Sequence, residues 1–207
     1  MPSAEVFPVG FTKQRMEALS DGVYAVALTL LVLDLKIPAT TKPLDDAAFA
    51  QALYGLLPNA LTWLLSFWVI ATFWVAQVRL FQFTKSLDWS IAWSELVQLA
   101  LVSLLPFSTS LIGEHGSHIA SAVIYSLNLT GISAMSLART LHLLKASALH
   151  ADPITPRVAW ALRVGGVGRL ACSVATLVLA FFCPGWNMLA MLPMSLLRRY
   201  IARGPRE

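Results

Sequence analysis

From Val23 to Leu33 the chain is an unbroken apolar run whose only side-chain polar groups are the hydroxyls of Tyr24 and Thr29. Arg15, Glu17, Ser20 and Asp21 lead into it, and Asp34 and Lys36 close it. A helix needs roughly 20 residues to cross a hydrocarbon layer of about 30 Å. The segment 17–37 has that length, so Asp21 falls inside the boundary of the layer it crosses. An ionisable side chain there is costly unless it is paired or lines a wet path. The first segment is thus both a membrane span and a candidate functional element.

Composition extends this reading to the whole chain. Hydrophobic residues make up 57% and charged residues only 13% of the sequence, against about 25% charged in a soluble domain, and the mean hydropathy is +0.68. We expect one membrane domain over residues 1–207, all-α, with six spans near 17–37, 52–80, 89–112, 118–144, 158–182 and 186–200. The second is broken early by Pro58, the third carries Pro106, and the sixth is short for a full crossing. Pro184-Gly185 marks a tight turn that makes the last two antiparallel neighbours. Residues 1–16 are mixed and polar, unlike a cleaved signal.

Basic residues set the expected orientation. Lys13, Arg15, Arg79, Lys85, Lys145 and Arg157, Arg139 taken with the 139–157 connection, and Arg198, Arg199, Arg203 and Arg206 of the tail all fall on one side, with Arg163 just inside the fifth helix; the other side holds Lys36 and Lys42. The excess of basic residues in cytoplasmic loops then places both termini in the cytoplasm. The net charge of +4 is a matter of topology and of anionic lipid at the tail arginines, not of nucleic acid.

Val26, Leu30 and Leu33 form an i, i+4, i+7 stripe, with Thr29 beside it and Leu19 and Val23 extending it. Such a stripe meets lipid or other helices in most membrane proteins; Gly22, Ala25 and Ala27 favour tight helix packing. Asp21 is either an ion or proton site or a structural knot, neutralised by Arg15 and hydrogen-bonded to Ser20. Glu95 is a second buried carboxylate, with Gln77 and Asn128 as possible partners. Arg169 either snorkels or pairs with Glu95 or Asp152, and Gly165-Gly-Val-Gly168 forms a close-packing face. Cys172 and Cys183 are too far apart along a helix to bridge and read as buried packing. His115 and His118 lack a third ligand for a metal site, and His142 and His150 suit the cytoplasmic interface. No Ser-His-Asp set or phosphate loop is evident, so no enzyme is expected.

Arg15-x-x-x-Leu-Ser-Asp-Gly22, followed by Ala25, Thr29 and Leu30, resembles the RxxxFSDG signature of the transmembrane protein 175 family of potassium channels. Leu65-Ser66-Phe67, Trp74 and Arg79-Leu80-Phe81 are similar to that family's second helix, and Leu104-Leu105-Pro106-Phe107-x-Thr109 to the end of its third. The resemblance implies a prokaryotic single-repeat member in a bacterial inner membrane, with four six-helix subunits, first helices lining a central pore, and K+ as permeant ion without a cofactor. It places Val26, Leu30 and Leu33 on the family's aliphatic constriction, in place of a carbonyl filter, and Thr29 where a hydroxyl ring touches a partly hydrated cation. Potassium selectivity over sodium would be modest. The resemblance also implies a polar network of Arg15, Ser20, Asp21, Gln77 and Glu95. Departures are Leu19 for Phe, Ala76-Gln77-Val78 for Asn-His-His, Glu95 for Asn, and Val26 for a larger aliphatic, which implies a wider first ring. The alternatives are a proton-coupled carrier using Asp21 and Glu95, and a non-conducting membrane scaffold.

Overall fold

A computed structural model describes residues 12–37 and 45–194. Helix α1 (Lys13–Leu30) starts where Thr12, in extended conformation, caps it by accepting from the Arg15 backbone N–H at 3.4 Å. A 3-10 turn (Leu31–Asp34) tightens its far end. The second hydrophobic segment is two helices, α2 (Asp46–Gly55) and α3 (Leu57–Gln82), divided at Leu56 because Pro58 has no N–H for a continuous ladder and clashes with the turn before it. Leu104 divides α4 (Trp89–Ser103) from α5 (Leu105–His115) in the same way, ahead of Pro106. Helices α6 (Ile119–Lys145) and α7 (Pro156–Leu179) run uninterrupted.

Counting α1 with its 3-10 turn, α2 with α3 and α4 with α5, the described residues contain five helical segments long and apolar enough to cross a membrane. Of the expected sixth span, the structure describes a 3-10 helix at Asn187–Met191; residues 195–200 lie outside the described part. At 1.5 Å per residue α1 alone is about 27 Å long, close to the thickness of the hydrocarbon layer.

The segments alternate in direction, so one end of the bundle carries the start of α1, the 83–88 connection and the 146–155 connection. Two of these loops are stitched together there: Lys85 N–H donates to Leu149 O at 2.7 Å and Ala151 N–H to Phe83 O at 3.0 Å. Asp88 caps α4 by accepting from Ile91 N–H at 2.8 Å and also meets His142 Nε2 at 2.5 Å. At the opposite end Gly185 has φ +84°, where a side chain is strained, and an added Cβ would stand 3.0 Å from Gly116 O. Here Pro184-Gly185 makes the expected turn after α7. Cys183, expected to be buried packing, is exposed in that turn because α7 has already ended; both cysteines are free.

The main apolar core gathers Tyr24, Ala27 and Leu31 of the first segment with Val69, Ile70 and Phe73 of α3, Leu99 and Val102 of α4, and Tyr125, Leu129 and Ile132 of α6. Helix α7 approaches α6 through its glycines. A Cβ on Gly166 would come within 2.8 Å of Leu137 Cδ1, which is how the small residues of this face bring two backbones together.

Candidate functional site

Helix α1 has two faces. Met16, Ser20, Tyr24, Ala27 and Leu31 are buried, each at most 2% exposed. Leu19, Val26, Leu30 and Leu33 are 42–56% exposed. At about 100° per residue the two stripes lie roughly a third of a turn apart.

The inward face is held by polar side chains from four helices. Ser20 Oγ donates to Glu95 Oε1 at 2.6 Å. Arg139 of α6 donates through Nη1 to Glu95 Oε2 and through Nη2 to Gln77 Oε1 of α3. The same Nη2 reaches Gln98 Oε1 at 3.0 Å, and Gln98 Nε2 donates to the Tyr24 hydroxyl at 2.8 Å. Spacing explains the geometry: Ser20 and Tyr24 lie one turn apart on α1, and Glu95 and Gln98 one turn apart on α4. Glu95 and Arg139 have exposures of 0% and 2%, so each charge is tolerable only because the other is present and hydrogen-bonded.

Of the residues expected in one network, Ser20, Gln77 and Glu95 meet here. Asp21 does not join them: it is exposed and accepts a hydrogen bond from Trp74 Nε1 at 2.8 Å. Arg15 is exposed on α1, in line with the outward stripe. Asn128 belongs elsewhere, donating to Ser108 Oγ of α5 at 3.3 Å. Arg139, counted above among loop charges, is instead the buried centre of the cluster. Its position six residues before the end of α6 was the available signal, since a basic residue that far inside an apolar helix needs an acceptor. Arg169 pairs with neither Glu95 nor Asp152 and lines a separate crevice.

The outward face is a shallow groove bounded by Ala18, Leu19, Gly22, Val23, Val26 and Leu30, with Ser103 of α4 at one side. A Cβ on Gly22 would meet nothing within 4 Å. Thr29 is exposed, and its hydroxyl hydrogen is directed to its own helix, with Ala25 O at 3.1 Å and Val26 O at 2.9 Å.

These features define a multi-pass, all-helical membrane protein whose first helix is clamped on one side and bare on the other. The family described as endosomal/lysosomal potassium channel TMEM175 matches residues 15–106. A potassium channel from Streptomyces collinus is 32% identical over 155 residues, covering 72% of this chain and 73% of the relative. One from Chamaesiphon minutus is 36% identical over 113 residues, 55% of each chain. The human endosomal/lysosomal proton channel TMEM175 is 31% identical over 102 residues, 47% of this chain and 20% of the relative. The crystal structure of the lysosomal potassium-selective channel TMEM175 homolog from Chamaesiphon minutus superposes with a TM-score of 0.68 at 27% identity, over 92% of this chain and 96% of that one. The chain belongs to the TMEM175 family, whose members are ion channels and not enzymes.

Proposed function

We propose that the protein is a potassium-conducting channel assembled from four copies, with the outward face of α1 turned toward a shared axis. The observation that carries this reading is the bare stripe. Val26, Leu30 and Leu33 are 56%, 42% and 55% exposed on a helix whose other face is fixed by a buried ion pair. Lipid would satisfy an aliphatic stripe, but it gives no reason to hold one helix so firmly. Gly22 adds support, because its missing side chain accommodates nothing in its own subunit and leaves room for a neighbouring helix. The potassium assignment follows the bacterial relatives and the Chamaesiphon structure.

In this arrangement three aliphatic rings narrow the pore and close it by excluding water; a small widening readmits water and ions. Thr29, with its hydrogen engaged in its own helix, offers oxygen lone pairs to a partly dehydrated cation. Selectivity then rests on dehydration cost and is modest. The sixth span, the cytoplasmic position of both termini and a bacterial inner-membrane location complete the reading, supported by the basic residues gathered at the end of the bundle where α1 begins. A proton-coupled carrier is disfavoured because Glu95 is already neutralised by Arg139.

Planar-bilayer recording of the purified protein under opposed potassium and sodium gradients tests this. The expected result is current reversing on the potassium side, from particles with the mass of four protomers. With Cys183 replaced by Ser, Leu30→Cys should be reached by water-soluble thiol reagents that block the current. Labelling of Leu30→Cys only by lipid-soluble reagents, or current that requires a second gradient, would overturn the proposal.

A further inference from the structure

Outside the α1 cluster, the described residues contain a second concentration of charge that conduction does not use. A crevice of about 320 Å³ lies between the last turns of α3, the end of α6 and the first half of α7. Arg79 of α3 and Arg169 of α7 both line it, with Gln82 and Thr140. None of its lining residues is a carboxylate. Neither arginine forms an ion pair among the described residues, and the buried Arg169 Nε has no hydrogen-bond partner there. The hydroxyl hydrogens of Thr72 and Thr140 are spent within their own helices, on Val69 O at 2.7 Å and Ser136 O at 2.8 Å, and their neutral oxygens bring no charge to balance the two arginines.

Two guanidinium groups sharing one crevice repel each other, and Arg169 is half-buried while Arg79 is exposed, so an anion that both can hydrogen-bond relieves the repulsion and pairs the less solvated of the two. Elsewhere in this bundle the buried guanidinium of Arg139 is answered by Glu95; here the acceptor must come from outside the described chain. The walls contributed by Val75, Val158 and Leu162 are aliphatic, which suits an amphiphile better than a free ion. Arg79 stands three residues from the end of α3, about 5 Å along the axis. That puts Arg79 near the level at which a helix of this length leaves the hydrocarbon layer and meets phosphate groups, while Arg169, thirteen residues into α7 from Pro156, forms the deeper end of the crevice. We propose that the Arg79–Arg169 crevice is a binding site for the phosphodiester headgroup of an anionic phospholipid, held by both guanidinium groups with its glycerol and upper acyl carbons against the aliphatic wall. A zwitterionic lipid is the poorer occupant, since its own cation would join the two arginines.

The test uses the full chain in nanodiscs of phosphatidylcholine alone or with phosphatidylglycerol, reading thermal stability and lipid retained per subunit by native mass spectrometry. Phosphatidylglycerol should raise the melting temperature of the wild type and remain bound. Arg79→Gln, at an exposed position expected to fold, and Arg169→Gln should each weaken retention about tenfold, as loss of one charge-assisted contact implies, and the double variant should lose the distinction between the two lipids. Equal retention by wild type and variants overturns the site. Inorganic phosphate matching the effect of the lipid in phosphatidylcholine discs assigns a soluble anion instead and overturns the lipid reading. A change of particle mass in Arg79→Gln, whatever the lipid, shows that a neighbouring chain fills the crevice and equally overturns it.

Discussion

The two faces of α1 are built on opposite terms. Inward, Ser20 and Tyr24 hang on a buried ion pair, and Tyr24, Ala27 and Leu31 pack into the core formed with α3, α4 and α6. Outward, Val26, Leu30 and Leu33 touch little of their own subunit, and their side chains answer to whatever lies across from them. One face therefore sets where the helix stands, and the other, in the pore proposed above, would set what it does there. Stability measurements should report the first face and conductance the second.

The largest test of that division is Arg139→Leu. It leaves Glu95, Gln77 and Gln98 buried without their shared donor, and removal of one partner of a buried pair costs about 3–5 kcal/mol. The expected result is loss of the folded assembly in detergent, measured by thermal unfolding. Replacing Glu95 by Met and Arg139 by Leu together should recover much of that loss, because no charge is then left alone. Next comes the opposite face. Leu30→Asn should raise resting potassium conductance roughly tenfold, about 1.4 kcal/mol off the barrier, while leaving the melting temperature near the wild type. A variant that unfolds without conducting would erase the distinction between the faces.

Smaller changes sharpen it. Tyr24→Phe removes the hydroxyl that accepts from Gln98 and should cost about 1 kcal/mol in unfolding experiments, with a second effect on conductance only if α1 shifts. Lys13→Ala breaks a partly exposed surface pair with Glu17, 3.6 Å apart one turn along the helix. Such pairs contribute about 0.3–0.5 kcal/mol, so neither stability nor current should move appreciably.

Much of this could be read from the letters because a membrane imposes length and polarity on each segment. The apolar runs, the break at Pro58 and the turn at Gly185 were legible; the second break, at Leu104 ahead of Pro106, emerged only in the structure. A buried Glu95 with Gln77 near it was legible too, since buried polar groups require partners, whereas Ser20 in the same network was implied by the family resemblance. Which partners they take was not legible. Pairing depends on how helices rotate against one another, and a sequence pattern fixes a stripe but not the neighbour it faces. Arg139 shows this most clearly: its depth inside α6 signals a need for an acceptor, but nothing in the letters says that Glu95, Gln77 and Gln98 supply it. Asp21 misled in the other direction, because its neighbour Ser20 points a third of a turn away and only the latter turns inward.

The position of Arg139 also bears on how the protein is made. Gln77, Glu95 and Gln98 all precede it in the chain, so a ribosome delivers the acceptors before the cation that needs them. An arginine entering hydrocarbon alone costs about 2.5–3.5 kcal/mol even on insertion scales. Helix α6 instead arrives at a bilayer where a carboxylate is already waiting. The order of synthesis thus turns the least soluble charge in the molecule into the latch that closes over three earlier helices, α1, α3 and α4.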